Sequence, residues 1–328
     1  MSKSNFGDSI SESHGKSYFK TMQLTDWLVA AKSLNKTQPL FGSIWHTGEL
    51  AIVFADTGLG KSVLIYSLFD AITSNCNFLN LATTFKKGLY FDFELSSQSI
   101  YNRYSNSSND TIYPFNSNFI RAEINLDSIN LANSSSGNNI LKYIEGEIIK
   151  QNAEVVCIDN ISFIATDNEK SRFATQLMKG LLQLTRKNGL SILVLAHEPK
   201  EDKFSNKITL NRLAGSKALS NFADTIFALG KSSIWGLIYL KELKNRNREI
   251  IYHENNVMVL ERIKKDNFLT FDYVRFDSEN NMIEFNPSDE RNMKILEMKN
   301  RGVSNVKIGE EFKISETAVR KILKKLQE

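Results

Sequence analysis

Cysteine is nearly absent from this chain: Cys76 and Cys157 are the only two in 328 residues. Two thiols cannot staple a small secreted scaffold, and Cys157 sits in an apolar strand pattern where a thiol behaves as a small core residue. That usage fits a reducing cytoplasm. No apolar stretch approaches the roughly 20 residues of a membrane span, and the N-terminus lacks the basic-then-apolar plan of a signal peptide. The reading is therefore a cytoplasmic protein with no membrane partner. A strong charge of either sign is also missing; the formal net charge of +4 does not by itself argue for nucleic acid. Residues 1–17, polar and serine-rich, have little to bury and are expected to form a disordered tail. What remains is ordinary for a globular chain, 41% hydrophobic and 24% charged, and long enough for one large domain plus a small one.

The most informative stretch runs from Leu50 to Thr73. An apolar run, Leu50–Phe54, breaks into Ala55-Asp56-Thr57-Gly58-Leu59-Gly60-Lys61-Ser62, and a helical pattern follows at once. A polyphosphate needs many donors converging from a backbone free of obstructing side chains. Gly58 and Gly60 permit that approach, the helix start offers unpaired N–H groups and a positive dipole end, Lys61 adds a charge, and the Ser62 hydroxyl is suited to Mg²⁺. Against the G-x-x-x-x-G-K-S/T pattern the one departure is Ala55 in place of the first glycine, a small residue expected to be tolerated.

Further apolar runs deliver polar groups to strand ends. Gly88–Ser96 carries Glu94 at its carboxyl end, with Asp92 a competing carboxylate read as lying inside the strand. Glu154–Asn160 ends in Asp159, and Leu190–Ala196 ends in His197. In a mostly parallel sheet such ends share one edge, where ligands gather. Asp159 is then suited to hold Mg²⁺ beside Ser62, and Glu94 to polarise a water attacking a γ-phosphate. Thr25 is expected to cap a helix over 26–33. Trp45 and His46 either edge a nucleotide pocket or pack in the core, and packing is the simpler reading. Residues 102–118, crowded with Asn and Ser, are expected to form a surface excursion. Beyond Pro287 and Ser288 the pattern is purely helical, with Ser315 a credible N-cap for the last helix.

Taken together, GEL-AIVFADTGLGKS, YFDFELS, VVCIDNIS, LVLAHE and AGSKALSNFADTIFAL resemble the RecA-type ATPase core, in the branch of the RepA hexameric helicases with DnaB and KaiC-like relatives. The resemblance covers about residues 38–275. It implies an ATP site at Ala55–Ser62, a catalytic Glu94, a magnesium-binding Asp159 and a γ-phosphate-sensing His197. It also implies that Lys244 and Arg246, matching a K-x-R on a late strand, reach into a neighbouring subunit's nucleotide, with Arg248 a competitor; the homo-oligomer would be a hexameric ring. In such proteins the loops after the Asp159 and His197 strands line a channel for single-stranded DNA. Here they carry the cations Lys170 and Arg172, then Lys200, Lys203 and Lys207, which would equally suit a solvated loop, and the aromatic Phe204, suited to stack a base.

The segment SNVKIGEEFKISETAVRKILKKL resembles a helix-turn-helix. Its last helix would present Thr317, Arg320, Lys321 and Lys324 to duplex DNA, and residues 287–328 hold ten Lys and Arg against seven Asp and Glu. The expected fold is thus α/β: a RecA-like P-loop core with a mostly parallel sheet over 18–285, and a small all-α helix-turn-helix domain over 286–328. The expected function is Mg²⁺-dependent ATP hydrolysis coupled to DNA binding or remodelling, a helicase-like role in replication or mobilisation of a plasmid or mobile element. An ATP-switched DNA-binding regulator and a KaiC-like autophosphorylating ATPase are the competing readings.

Overall fold

A computed structural model describes residues 19–32, 36–123, 137–160, 170–197, 207–213, 216–283 and 287–327. The expected disordered tail and the cations Lys200 and Lys203 fall outside these residues. Residues 1–37 form a unit of their own, whose described part holds helix α1 (Leu24–Lys32) with no buried residue. Thr25 lies within that helix rather than before it, so it is not the expected cap.

Residues 38–328 form the second unit. A small hairpin, β1 (Pro39–Phe41) and β2 (Trp45–His46), leads to β3 (Leu50–Ala55), helix α2 (Lys61–Ser74) and β4 (Gly88–Asp92). Then come α3 (Ser97–Arg103), a hairpin of β5 (Ser105–Asn106) and β6 (Thr111–Ile112), and β7 (Phe119–Glu123). Helix α4 (Gly137–Gln151), β8 (Val155–Asp159), α5 (Lys170–Asn188) and β9 (Ser191–His197) follow, then α6 (Ser216–Phe222) and β10 (Thr225–Lys231). Strands β11 (Leu237–Asn245), β12 (Val257–Lys265) and β13 (Phe268–Asp277) precede α7 (Glu279–Ile283) and three closing helices, α8 (Pro287–Asn300), α9 (Asn305–Phe312) and α10 (Glu316–Gln327).

Nine strands make one sheet in the order β13-β12-β11-β10-β3-β9-β8-β4-β7. The six from β10 to β7 are parallel, and β11 to β13 extend one side antiparallel. Strands β3, β4 and β8 are buried along their whole length, as continuous apolar runs require when both faces are covered. The side chains of β3 divide between two cores: Ala51, Val53 and Ala55 face α2, while Leu50, Ile52 and Phe54 face the α5 side.

The stretch 102–118 runs over the surface as expected, with Ser107–Asp110 all exposed, but it is anchored by aromatics that its polar composition conceals. Tyr104 is buried against Tyr66, Phe115 and Phe268, and Tyr113 stacks on Phe268 at 4.1 Å while its hydroxyl donates to Asp70 Oδ2 at 2.8 Å. Polar neighbours hide three aromatic anchors that pin this segment to α2 and β13. Trp45 is likewise fully buried, its indole N–H donating to the Glu49 carbonyl at 3.1 Å, so it packs and does not edge a pocket.

Helices α8 to α10 close a separate small core of Ile295, Ile308, Val319 and Leu323. Ser304 and Ser315 accept from the N–H groups of Lys307 and Ala318 as N-caps. Between α9 and α10 the chain turns so tightly that a Cβ on Gly309 would lie 2.6 Å from the Ile314 carbonyl oxygen.

Candidate active site

Parallel register assembles the site. Ala55 pairs with His197 and Asp92 with Asp159, so the carboxyl ends of β3, β9, β8 and β4 lie side by side on one edge. The loop Asp56–Gly60 springs from that edge into α2. Ala55 is the last residue of its strand and fully buried; a strand position tolerates a Cβ, which is why the missing first glycine does no harm. Glycine is required later. Gly58 and Gly60 hold φ of 84° and 94°, and a Cβ on Gly60 would sit 2.8 Å from the ring of Phe271. Gly60 is also the N-cap of α2 and has no side chain to cap it, so the first-turn N–H groups are left directed at the loop.

Lys61 is buried, and its ammonium folds back onto the loop, donating to the Ala55 carbonyl at 2.7 Å and the Asp56 carbonyl at 3.3 Å. One residue on, Ser62 Oγ donates to Asp159 Oδ2 at 2.7 Å. The same carboxylate oxygen accepts from the Tyr90 hydroxyl at 2.5 Å. Burial pushes the Asp159 carboxyl up to about 6, opposed by these two hydrogen bonds and reinforced by Asp92 and Glu94. A desolvated acid with two hydroxyls on one oxygen is a set of hard oxygen donors, the chemistry Mg²⁺ takes.

Glu94 stands two residues beyond the end of β4, where its backbone N–H is held by Asp92 Oδ1 at 3.1 Å. Asp92 itself ends the strand; it does not lie two residues inside it. It is fully buried and occupied by the Tyr66 hydroxyl at 2.9 Å and the Arg121 guanidinium at 3.0 Å, so it braces the Glu94 turn from below and leaves the open carboxylate to Glu94. Between Glu94 and His197 lies Asn160. Its side-chain nitrogen is 2.7 Å from Glu94 Oε2 and 2.7 Å from His197 Nε2, while those two groups stand 3.7 Å apart. One amide NH₂ thus tethers both, and an Nε2 that accepts belongs to a neutral ring. The electrostatics agree: burial and then Lys61 hold the His197 pKa below its usual value, only partly offset by Glu94.

Lys244 and Arg246 are not brought to this edge. Thr225 pairs with both Asn245 and Ala51, and the Arg246 N–H donates to the Asp224 carbonyl, so Arg246 lies at the amino end of β3. At about 3.3 Å per residue that is roughly 16 Å from the start of the P-loop. The Arg246 guanidinium contacts the Asn221 carbonyl and lies 3.5 Å from Asp224. Lys244 Nζ donates to the Ser220 carbonyl at 2.5 Å, and burial followed by the nearby Arg246 lowers its pKa. Arg248 is differently placed: it grips the buried Glu49 through both oxygens at 2.8 and 2.7 Å. That pairing makes it part of the scaffold and leaves Arg246 as the more available guanidinium.

Among the remaining predicted contacts, Lys207 precedes Ile208, whose N–H is held by the buried Glu279 at 2.8 Å. Lys170 and Arg172 begin α5, with side chains outside the described residues. Thr317, Arg320, Lys321 and Lys324 are all exposed on α10, where Arg320 pairs with Glu316 at 2.7 Å. Sequence reasoning missed Asn160 and Tyr90. The available hints were an amide directly after a strand-ending acid and a tyrosine two residues before Asp92, in a strand whose neighbour ends in an acid. Among the described residues no group of three or more His, Cys, Asp or Glu forms a metal cluster, and no helix is long and apolar enough to cross a membrane.

A family model described as an AAA domain matches residues 17–203. Among solved structures, one described as an ATPase domain aligns with a TM-score of 0.53 at 12% identity, covering 75% of this chain and 96% of that one. A KaiC-like protein from Pyrococcus horikoshii aligns with a TM-score of 0.48 at 11% identity, over 72% and 99%. No curated protein matches.

Proposed function

Because the chain belongs to the AAA domain family, we propose that it is an oligomeric, Mg²⁺-dependent ATPase whose turnover is coupled to DNA. The observation that carries the reading is the convergence at one sheet edge of Lys61, the Ser62–Asp159 pair and the Glu94–Asn160–His197 cluster. Ser62 and Asp159 would hold the magnesium ion, which when bound supplies positive charge beside the phosphate oxygens. Lys61 exchanges its two loop carbonyls for phosphate oxygens, a swap that costs little because the ammonium is already desolvated in place. Glu94, exposed and oriented by Asn160, accepts a hydrogen bond from the attacking water. His197, neutral and tethered to the same amide, is placed to register the γ-phosphate and pass its presence to Glu94.

Arg246 supports the oligomeric part of the reading. A cation that cannot reach its own phosphate site, on the opposite edge of the sheet, is suited to serve a neighbour's, stabilising charge on the transferred phosphoryl group in trans. The C-terminal helices support the DNA part. A capped two-helix turn ending in a helix with exposed Thr317, Arg320, Lys321 and Lys324 has the form of a helix-turn-helix domain, which we assign to 286–328, with the ATPase domain over 18–285. Duplex DNA would engage α10, and single-stranded DNA the loops around Lys200, Lys203 and Lys207. We assign the biological setting to replication or mobilisation of a plasmid or mobile element.

The test is ATP hydrolysis by the full chain with and without single-stranded and duplex DNA. Stimulation by single strands with strand separation supports a motor. Stimulation or binding confined to one duplex sequence would move the reading to an ATP-switched regulator. No hydrolysis under any condition, or hydrolysis unaffected by Lys61→Ala, would remove it.

A further inference from the structure

A cavity of about 820 Å³ opens directly beside the P-loop. Gly58 and Leu59 form one wall, the β10–β11 turn with Trp235 a second, and Arg262 and Phe271 of the β12–β13 hairpin the floor. The fourth wall is α8, through Lys294, Leu296, Glu297 and Asn300. Its size suits a small molecule, and its continuity with Gly58 and Leu59 makes it the outlet of the phosphate cradle.

Two features point to a flat, polar-edged ligand. Trp235 is 80% exposed at the tip of a turn, an indole that nothing in the core requires to be there. Arg262, whose Nη1 lies 3.4 Å from the Gly58 carbonyl, brings a planar guanidinium to the same space. An indole and a guanidinium both stack on heteroaromatic rings.

We propose that this cavity takes the nucleoside of the bound nucleotide, and that α8, as one of its walls, makes nucleotide occupancy and the placement of the C-terminal helices a linked equilibrium. The inference rests on the ATPase reading of the P-loop and names what lies beyond the phosphates. Ile295 of α8 shares a core with Ile308, Val319 and Leu323, so a ligand that fixes α8 also fixes the helix carrying Thr317, Arg320 and Lys321. Whatever DNA binding then does to nucleotide affinity, nucleotide must do to DNA affinity by the same factor.

The experiment titrates the full chain, in Mg²⁺, with ADP and with inorganic tripolyphosphate, which has phosphates but no base. Trp235→Ala removes the stacking surface at an exposed position, and Asn300→Trp fills the cavity from the exposed side of α8. Both variants should weaken ADP about tenfold or more, the worth of one stacked base, and leave tripolyphosphate unchanged. Hydrogen exchange of α8 amides should slow with ADP and not with tripolyphosphate. ADP affinity untouched in both variants, or α8 exchange indifferent to ADP, would overturn the inference while leaving the P-loop reading intact. Failure of tripolyphosphate and ADP alike to bind the unaltered chain would instead remove the P-loop reading itself.

Discussion

Two arginines two residues apart offer the sharpest test. Arg248 closes a buried ion pair with Glu49, their side chains only 19% and 5% exposed, and Arg248 Nε also donates to the Ser43 carbonyl at 2.8 Å. Arg248→Ala leaves a buried carboxylate without its charge partner, a loss of about 3–5 kcal/mol. The lower end applies, because Asn247 Nδ2 still donates to Glu49 at 2.7 Å and the His46 N–H at 3.0 Å. Adding Glu49→Gln to that variant removes the stranded charge and should recover part of the loss. Arg246 is 38% exposed and lies 3.5 Å from Asp224, so Arg246→Ala should cost about 0–1 kcal/mol in stability. Its effect should fall on turnover, about 10³-fold or more for a lost trans-acting arginine. Urea unfolding and ATPase assays on each variant read these out, with a midpoint shift near ~1 M expected for Arg248→Ala alone. Mixing Arg246→Ala with Lys61→Ala should restore activity, since each supplies the part the other lacks. The reasoning is refuted if the mixture stays inactive, or if Arg248→Ala is as stable as the parent and inactive.

Asn160→Ala should lower kcat about 10- to 100-fold through loss of a hydrogen bond to a charged group, with Mg²⁺-ADP affinity unchanged by titration calorimetry. Gly60→Ala combines left-handed strain with overlap on Phe271, together about 2–4 kcal/mol by urea unfolding; pairing it with Phe271→Leu should relieve the overlap and not the strain. Burial alone would raise the Glu49 pKa, but Arg248, Asn247 and the His46 N–H together bring it below its ordinary 4.5. The unfolded chain then binds the proton first, so this stabilisation is complete above about 4.5 and lost as pH falls below it; acid unfolding curves of Glu49→Gln should be shallower there.

The strands of the parallel core were legible because burial on both faces leaves unbroken apolar runs, and the P-loop because its glycines and lysine have no other economical explanation. Asp159 and His197 followed from the ends of those runs. Asp92 and Glu94 were harder: an acid inside an apolar pattern reads as an intrusion until Tyr66 and Arg121 are seen on it. In residues 102–118 the surface course was legible and the anchoring was not, because Asn and Ser outnumber the three aromatics that hold the segment. Arg246 and Arg248 could not be separated in sequence, since only the register of β11 and the position of Glu49 distinguish a buried partner from an open one. Asn160 had no spacing to announce it; its role lies in two contacts made across three strands. Strand order, too, is invisible to pattern, because crossovers leave no local trace.

A molecule that gives from one rim and receives at the other can meet itself in two ways: a two-fold dimer in which each copy serves its partner's site, or head-to-tail contacts in which each copy serves the next. The hexameric ring expected from the sequence takes the second. An unclosed row then always has one unserved phosphate site, so turnover per chain should climb with protein concentration and level off once closure leaves no terminus.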